Sequence, residues 1–506
     1  MVTGVGHLFV AQGDLTRLAC DGILIPCDSE LSVNAVWRSV LPAGLPCADA
    51  YDDWLTLPSE PGADGVVALT ESEGRAVWAY VAVDVARDVT PDDVVDRTWK
   101  ALEHLATNAP CHGGRARPLI GLPLPGTGAG GLATRRGEVI DRLLERFRRG
   151  QLQIDVALIL FDRRDFAAVQ ERRRSMEWPE LSDGLRDHAD RLGRLAARRE
   201  LSLFLGAGIS MPVGLPGWWD LLDTLAEKAD QAPPSRDSDP FRAARPIVEA
   251  LGAEYHAAIQ EALRTDQHGI GHALLASLGV TRVVTTNFDC CLEGALEIPA
   301  SGDFRVLTRE LAQGGSPWVL KVNGDVEYPQ SIVLTDADLT RAPEERRALE
   351  GVIQGLLLTS HLLFVGFSLT DTNFLELAKA VSGVRSQAKT AGPAETGTAL
   401  GLTSADCERA GYRDLHMLAM DPESPQTGAR RMEIFLDRLL WTASVQSDLS
   451  HEYLLDRRYE SGLSEPDSAL RALLVEMVNA ASPLARSSSG WRKVVECLAD
   501  LGADIR

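Results

Sequence analysis

Short apolar runs punctuate the first third of the chain, at Gly6–Val10, Gly22–Pro26, Val77–Val83, Pro118–Leu124 and Asp155–Phe161. Runs of this length, bounded by polar or glycine-containing stretches, predict buried strands. Between them, apolar residues recur at helical spacing over Asp92–Asn108 and Arg135–Arg149. The alternation predicts an α/β domain over residues 1–172. Residues 173–198 are dense in Arg, Glu and Asp and predict a connector with a helix carrying Leu185, Leu192 and Leu195 near one face. A second α/β pattern occupies 199–445. Its strands are Leu201–Leu205, Arg282–Thr286, Trp318–Val322 and His361–Phe367, with a mostly helical insert between about 218 and 279. The small, polar stretch 385–399 reads as a loop, and 446–506 as a helical tail with polar breaks.

Composition narrows what such domains can do. Of 506 residues 45% are hydrophobic and 24% charged, the balance of an ordinary globular protein. The formal net charge of −21 argues against nucleic acid or an anionic membrane as partner, since both need a basic surface. A small anionic ligand stays open, because backbone amides at a helix N-terminus hold phosphate without net positive charge. The eight cysteines form no CxxC pair, so no metal site of the CxxC…CxxC type is expected, and reduced thiols in the cytoplasm are the simpler expectation. MVTGVGHLFVAQGD has neither a basic start nor a long apolar run, so no signal peptide is expected, and no stretch of 18 apolar residues predicts a membrane span.

The chemistry gathers where strands of the second domain end. LSLFLGAGISMPVGLPGWWDLL runs from a strand into Gly206, Ala207, Gly208 and Ser210. Glycines there let a backbone approach a pyrophosphate. Alone, with Met211 at the third glycine position, the segment reads first as a tight strand–helix turn. RVVTTNFDCC places Thr285, Thr286, Asn287 and Asp289 at a strand end, suited to a ribose hydroxyl and an amide, or to capping a helix. WVLKVNGD brings Lys321, Asn323, Gly324 and Asp325, and HLLFVGFSLTDTNF brings Gly366, Phe367, Ser368 and Asp371. Each of these two alone is an ordinary strand–loop junction. Together, four strand ends of this kind line one crevice in an open parallel sheet.

In this order the four segments resemble the Sir2 family, which shows GAGIS with GLPGW-like residues, then TxN(Y/F/I)D, K(L/I)HGD and VGxS. TTNFD and FVGFSLTDTNF are closest in wording to bacterial Sir2-like defence proteins, and His272 fits their H…L pattern before the TTNFD strand. The resemblance implies a Rossmann-like domain that binds NAD as a substrate. Gly206, Ala207, Gly208 and Ser210 would cradle phosphates, with Thr286 and Gly324 beside the nucleotide. Asn287 would hold the nicotinamide ribose and Asp289 the carboxamide, while Gly366, Phe367 and Ser368 would face the adenosine ribose. Such domains break the nicotinamide–ribose bond through an oxocarbenium-like transition state.

This chain departs from the family twice. It lacks the four-cysteine zinc module of deacylating sirtuins, which disfavours deacylation. The histidine of HGD, the family's general base, is Asn323, which cannot titrate near neutral pH. Three readings stand: a binder without turnover; another base, from Asp325, Asp289 or His256; or an asparagine substituted here for a histidine to hold ligand. The catalytic candidates are Asn287, Asn323 and Asp289.

The first domain resembles a macrodomain in GHLFVAQGDLTRLACDGILIPCDSEL, in NAVWRSVLPAG and in PLIGLPLPGTGAGGLATRRGEVIDRLLERF. That resemblance implies ADP-ribose or a related nucleotide, with Asp14 at adenine and Gly126, Thr127, Gly128, Gly130 and Gly131 around phosphate. The family's paired asparagines are Ile25 and Asp28 here, which puts ADP-ribose hydrolysis in doubt and leaves a sensor or a structural domain. Trp218 and Trp219 read as helix-start packing, and Arg172–Arg174 as a solvated face. The HGIGH pair His268 and His272 reads as a chance spacing, because its glycines disfavour the helix a metal pair needs. The expectation is an NAD-cleaving effector of antiphage immunity, homo-oligomeric and triggered by a phage protein or a nucleotide. A non-catalytic NAD or ADP-ribose module and a protein ADP-ribosyltransferase are the alternatives.

Overall fold

The computed structural model describes residues 5–42, 45, 48–51, 53–58, 60–70, 76–128, 130–312, 315–340, 343–369, 374–379, 381, 397–409, 415–447 and 450–504. These residues divide into two units, Met1–Pro179 with Trp441–Arg506, and Glu180–Leu440.

The first unit is built on β1 (Leu8–Gln12), β2 (Gly22–Asp28), a small antiparallel sheet of β3 (Ser32–Asn34), β4 (Ala48–Tyr51) and β5 (Trp54–Thr56), then β6 (Val66–Thr70), β7 (Ala76–Val83), β8 (Leu119–Leu122) and β9 (Asp155–Leu160). The main sheet has the order β1-β9-β8-β2-β7-β6, parallel throughout except for β6 against β7. Every residue of β1, β8 and β9 is buried, as strands covered on both faces require. The helix Pro91–Asn108 starts on a capping box between Thr90 and Asp93 and presents Val94, Val95, Trp99, Leu102 and Leu105 to the core.

Residues 446–506, set apart above as a tail, cluster with this first unit. Glu452 pairs with Arg163 and Asp456 with Arg164. The Tyr459 hydroxyl donates to Asp165 Oδ1 at 2.7 Å, and Arg172 donates to the carbonyls of Tyr459 and Ser461. The arginine run 172–174 is therefore no uniformly solvated face. Arg173 is buried and donates to the Leu8 carbonyl at 2.9 Å, leaving Arg174 as the exposed member.

The second unit holds β10 (Leu201–Leu205), β11 (Arg282–Thr285), β12 (Arg305–Val306), β13 (Trp318–Lys321), β14 (His361–Val365), β15 (Gly397–Thr403) and β16 (Leu415–Asp421). All pairings are parallel, in the order β12-β13-β11-β10-β14-β15-β16. From central β10 the chain winds first to one side, then returns to β14 and builds the other. The switch point lies between β10 and β14, where doubly wound sheets bind ligands. The insert forms helices Trp218–Lys228, Pro240–Leu251, Tyr255–Ala262 and Ile270–Ala276. Gly271 and His272 sit inside the last, but Gly269 is its N-cap and His268 precedes it, so the HGIGH pair does not share one helix. Most of the stretch read as a loop lies outside the described residues, but Gly397–Ala399 open β15. A Cβ on Gly397 would stand 2.3 Å from the Leu362 carbonyl, so close strand approach, not looseness, calls for the small residue.

Candidate active site

The switch point is a backbone contact between two loops. Gly206 N–H donates to the Val365 carbonyl and Gly208 N–H to that of Gly366, at 3.0 and 2.9 Å. Gly366 has φ +66°, and a Cβ there would lie 2.4 Å from Ile209 N. A Cβ on Gly206 would meet the Gly366 carbonyl at 2.6 Å. The glycines singled out for a phosphate are thus first required by this approach. Gly208 remains exposed, Ala207 half-buried and Ser368 exposed, while Phe367 leans on Phe204 with ring centroids 4.7 Å apart. Asp371 lies outside the described residues.

Behind the glycine turn sits a closed network. Ser210 Oγ donates to Asp289 Oδ2 at 2.9 Å and accepts from Asn287 Nδ2 at 3.1 Å. His272 Nδ1 accepts from Gly269 N–H at 3.3 Å, so the neutral ring carries its proton on Nε2, which faces Ser210 Oγ at 3.3 Å. Asp289 Oδ1 accepts from Cys291 N–H. Burial pushes His272 down to about 4 against the pull of Asp289, keeping it uncharged. The one loose end is Asn287 Oδ1. Asn287 is 8% exposed and this oxygen has no hydrogen-bond partner. Because the single Ser210 proton goes to Asp289, the Asn287 amide must turn its NH₂ to Ser210 and its oxygen away. Thr286 continues β11, its N–H donating to the Leu205 carbonyl.

The NGD turn after β13 belongs to a second cluster. Asn323 is buried, with its main-chain carbonyl accepting from Val333 N–H at 2.8 Å. Gly324 has φ +100°, and a Cβ would lie 2.3 Å from the Ser331 carbonyl. Asp325, fully buried, takes a bidentate clamp from Arg309 at 2.6 and 2.8 Å and lies 3.3 Å from Lys321 Nζ. Burial alone would raise Asp325, but these cations hold it below the usual carboxylate range. It is an ion-pair partner, not a base awaiting a proton. His256, the third base considered above, sits on the insert helix Tyr255–Ala262 with its ring 3.8 Å from that of Tyr255.

Among the described residues, two groups of side chains have metal-like composition. Around His272, Asp289 and Cys291 the imidazole nitrogen facing the group carries a proton, and burial raises the Cys291 thiol. Around Cys290, Glu293 and Asp325 the Lys321 ammonium already supplies the positive charge. Sequence reasoning passed over His272 as part of the site, and missed Glu293 and Arg309. One signal was legible, a lysine inside the apolar run WVLKV, which must find partners if buried.

In the first unit, Asp14 caps the turn Leu15–Arg17 by accepting from Thr16 N–H and Oγ1. Gly126 (φ +71°) and Gly131 (φ +80°) shape the loop after β8, and Gly128 is exposed with open space where a Cβ would go. A Cβ on Gly130 would meet Gly126 Cα at 2.9 Å. Thr127 is buried, and its carbonyl accepts from Arg136. Ile25 is core, and Asp28 Oδ1 accepts the N–H groups of Glu30 and Ser32.

Residues 281–394 match the family model described as a SIR2-like domain. Within the second unit, residues 281–394 are SIR2-like. Among curated proteins, the chain is 30% identical over 180 residues to an NAD(+) hydrolase ThsA of Bacillus cereus (strain MSX-D12), covering 34% of this chain and 38% of that protein. It is 27% identical over 195 residues to an NAD(+) hydrolase ThsA of Acinetobacter baumannii (strain 532279), covering 36% and 39%. It is 24% identical over 185 residues to Defense-associated sirtuin 2 of Bacillus subtilis, covering 34% and 18%. The matches thus span about two-fifths or less of these relatives' lengths. Among solved structures, a mutant macrodomain of Oceanobacillus iheyensis is similar at 13% identity, covering 33% of this chain and 86% of that one, with a TM-score of 0.22. No described helix is long and apolar enough to cross a membrane.

Proposed function

We propose that this chain is an NAD⁺ hydrolase of antiphage defence, cleaving the nicotinamide–ribose bond with water to give nicotinamide, ADP-ribose and a proton. The observation that carries this reading is Asn287 Oδ1, a buried acceptor without a donor beside the glycine turn of a SIR2-like switch point. A ribose hydroxyl is the donor that would satisfy it. Asp289, held by Ser210 and Cys291, keeps spare lone pairs for the carboxamide N–H. The Gly206–Gly208 turn offers the close backbone approach that a pyrophosphate needs. The transition state gathers positive charge on the ribose, where oriented acceptors are worth most. The first unit, with its Gly126–Gly131 loop, serves in this reading as sensor of a nucleotide signal.

A second reading, a module that binds NAD or ADP-ribose without turnover, is favoured by one observation. Asn323 stands at the base position, while two of the alternative bases are engaged, Asp325 by Arg309 and Asp289 by Ser210 and the Cys291 N–H. Nicotinamide release from NAD, followed by chromatography, separates the two. Hydrolysis by the unaltered chain that is lost in Asn287→Ala supports the enzyme. Hydrolysis only after Asn323→His marks a site lacking its base. Calorimetric binding of NAD with no release in either form, alone or with infected-cell lysate, establishes the module.

A further inference from the structure

Three segments of the second unit meet at one buried ammonium. Lys321 Nζ donates to the carbonyls of Phe288 and Asp289 at 3.0 and 2.6 Å, and to Glu293 Oε1 at 2.8 Å. Its three protons are thereby used, and the Lys321 side chain has no exposure to solvent. Burial alone would lower it, but Glu293, Cys290 and Asp325 outweigh that and hold it charged. Asp325 lies 3.3 Å from the same nitrogen and is gripped from outside by both arms of Arg309. A continuous path therefore runs from an Arg309 side chain 35% exposed, through Asp325 and Lys321, to the main chain of the loop that carries Asn287 and Asp289. The same Asp325 closes the turn bearing Asn323, accepting from Glu327 N–H while its own N–H donates to Ser331 Oγ.

From this geometry we infer that Lys321 and Arg309 are positioning residues, fixing the Asn287–Asp289 loop and the Asn323 turn relative to each other. The link to ligand rests on the NAD reading above. Neither residue need touch the ligand. Lys321 is the inner pin, since two of its three protons go to main-chain carbonyls, which fixes where the loop runs. Arg309 is the outer brace. Without it, buried Asp325 keeps one cation in place of two, and the ammonium is drawn from Asp289 toward the carboxylate.

The test uses the full chain and the exposed end of the path, because Lys321→Met removes a buried charge and risks the fold. Arg309→Met, Arg309→Lys and a control, Arg245→Met, would be compared by amide hydrogen exchange. Arg245 makes a surface pair with Asp336 in the same unit. Exchange over 286–291 is expected to rise about tenfold in Arg309→Met, to rise less in Arg309→Lys and to stay unchanged in the control, with β10 unaffected in all three. NAD affinity by calorimetry is expected to fall about tenfold in Arg309→Met alone, as small misplacements of binding groups do. Unchanged exchange over 286–291 overturns the proposal whatever happens to NAD. So does an equal rise throughout the unit, which would mark plain destabilisation, or a loosened loop that binds NAD as tightly as before. If the unaltered chain binds no NAD, the NAD reading falls while the exchange data still decide whether the path exists.

Discussion

At Asn287 the side chain is buried with one half of its amide satisfied and the other half not. An unsatisfied buried acceptor costs about 1–3 kcal/mol, so a residue kept only for the fold would not sit this way. Asn287→Ala is therefore expected to leave unfolding stability within about 1 kcal/mol of the parent, the lost Ser210 bond offset by the removed acceptor. Any thermal shift produced by NAD should disappear in the same variant. A large stability loss with the NAD shift intact would make Asn287 structural. Gly366 predicts the reverse pattern. With φ +66° and Ile209 N 2.4 Å from where a Cβ would stand, Gly366→Ala should destabilise the second unit by about 1–3 kcal/mol in urea unfolding. Both residues stood out in the strand-end motifs, Asn287 as the expected ribose contact. For Gly366 the resemblance implied a place facing the adenosine ribose, whereas backbone contact with the β10 loop is what excludes a side chain there. Arg309 left no trace in the sequence, because its partner Asp325 is fixed by the fold and by no local pattern.

Among the elements, strands buried on both faces were the easiest to read, since LSLFL and HLLFV are apolar at every position but Ser202 and His361 and end in glycine-bearing turns. β12, two residues long, and β15, opened by a glycine, carry too little apolar run to announce themselves. The partnership of 446–506 was not legible either. Its polar contacts reach across nearly 300 positions, as Tyr459 does to Asp165, and leave no periodicity. That contact makes its own prediction. Tyr459→Phe removes a bond to a buried carboxylate and should lower the stability of the first unit by about 1–3 kcal/mol, read by denaturant unfolding. An unchanged midpoint would mean that the C-terminal segment merely lies beside Asp165. The helix Glu465–Ala480 is a separate matter, as Leu470, Leu473, Val475 and Met477 are exposed on it and contribute little to this unit's core.

Across the whole molecule, the two units hold buried titrating groups of opposite sense. His272 falls to about 4 through burial, below its ordinary 6.5. Its contribution is complete above 6.5 and lost as pH falls toward 4, so the second unit should become more stable as pH rises over that range. Asp165 is raised to about 6 by burial, against Arg136 and Tyr459. Its contribution is complete below the ordinary carboxylate value of 3.8 and lost as pH rises through 6, so it makes the first unit less stable over nearly the same window. Each shift of two or more units corresponds to a swing on the order of 3 kcal/mol. Calorimetric unfolding between about pH 4 and 6.5 should therefore show pH slopes that differ between the units. Other carboxylates add their own slopes, which makes the difference between variant and parent the decisive quantity. His272→Gln should flatten only the second unit's transition, and Asp165→Asn should remove a falling component only from the first. If either variant leaves both pH profiles as they were, burial of that group is not what sets the slope. Should the two units melt as one, the substitutions would instead shift a common transition in opposite directions as pH changes, and the sign of each shift would still identify its group.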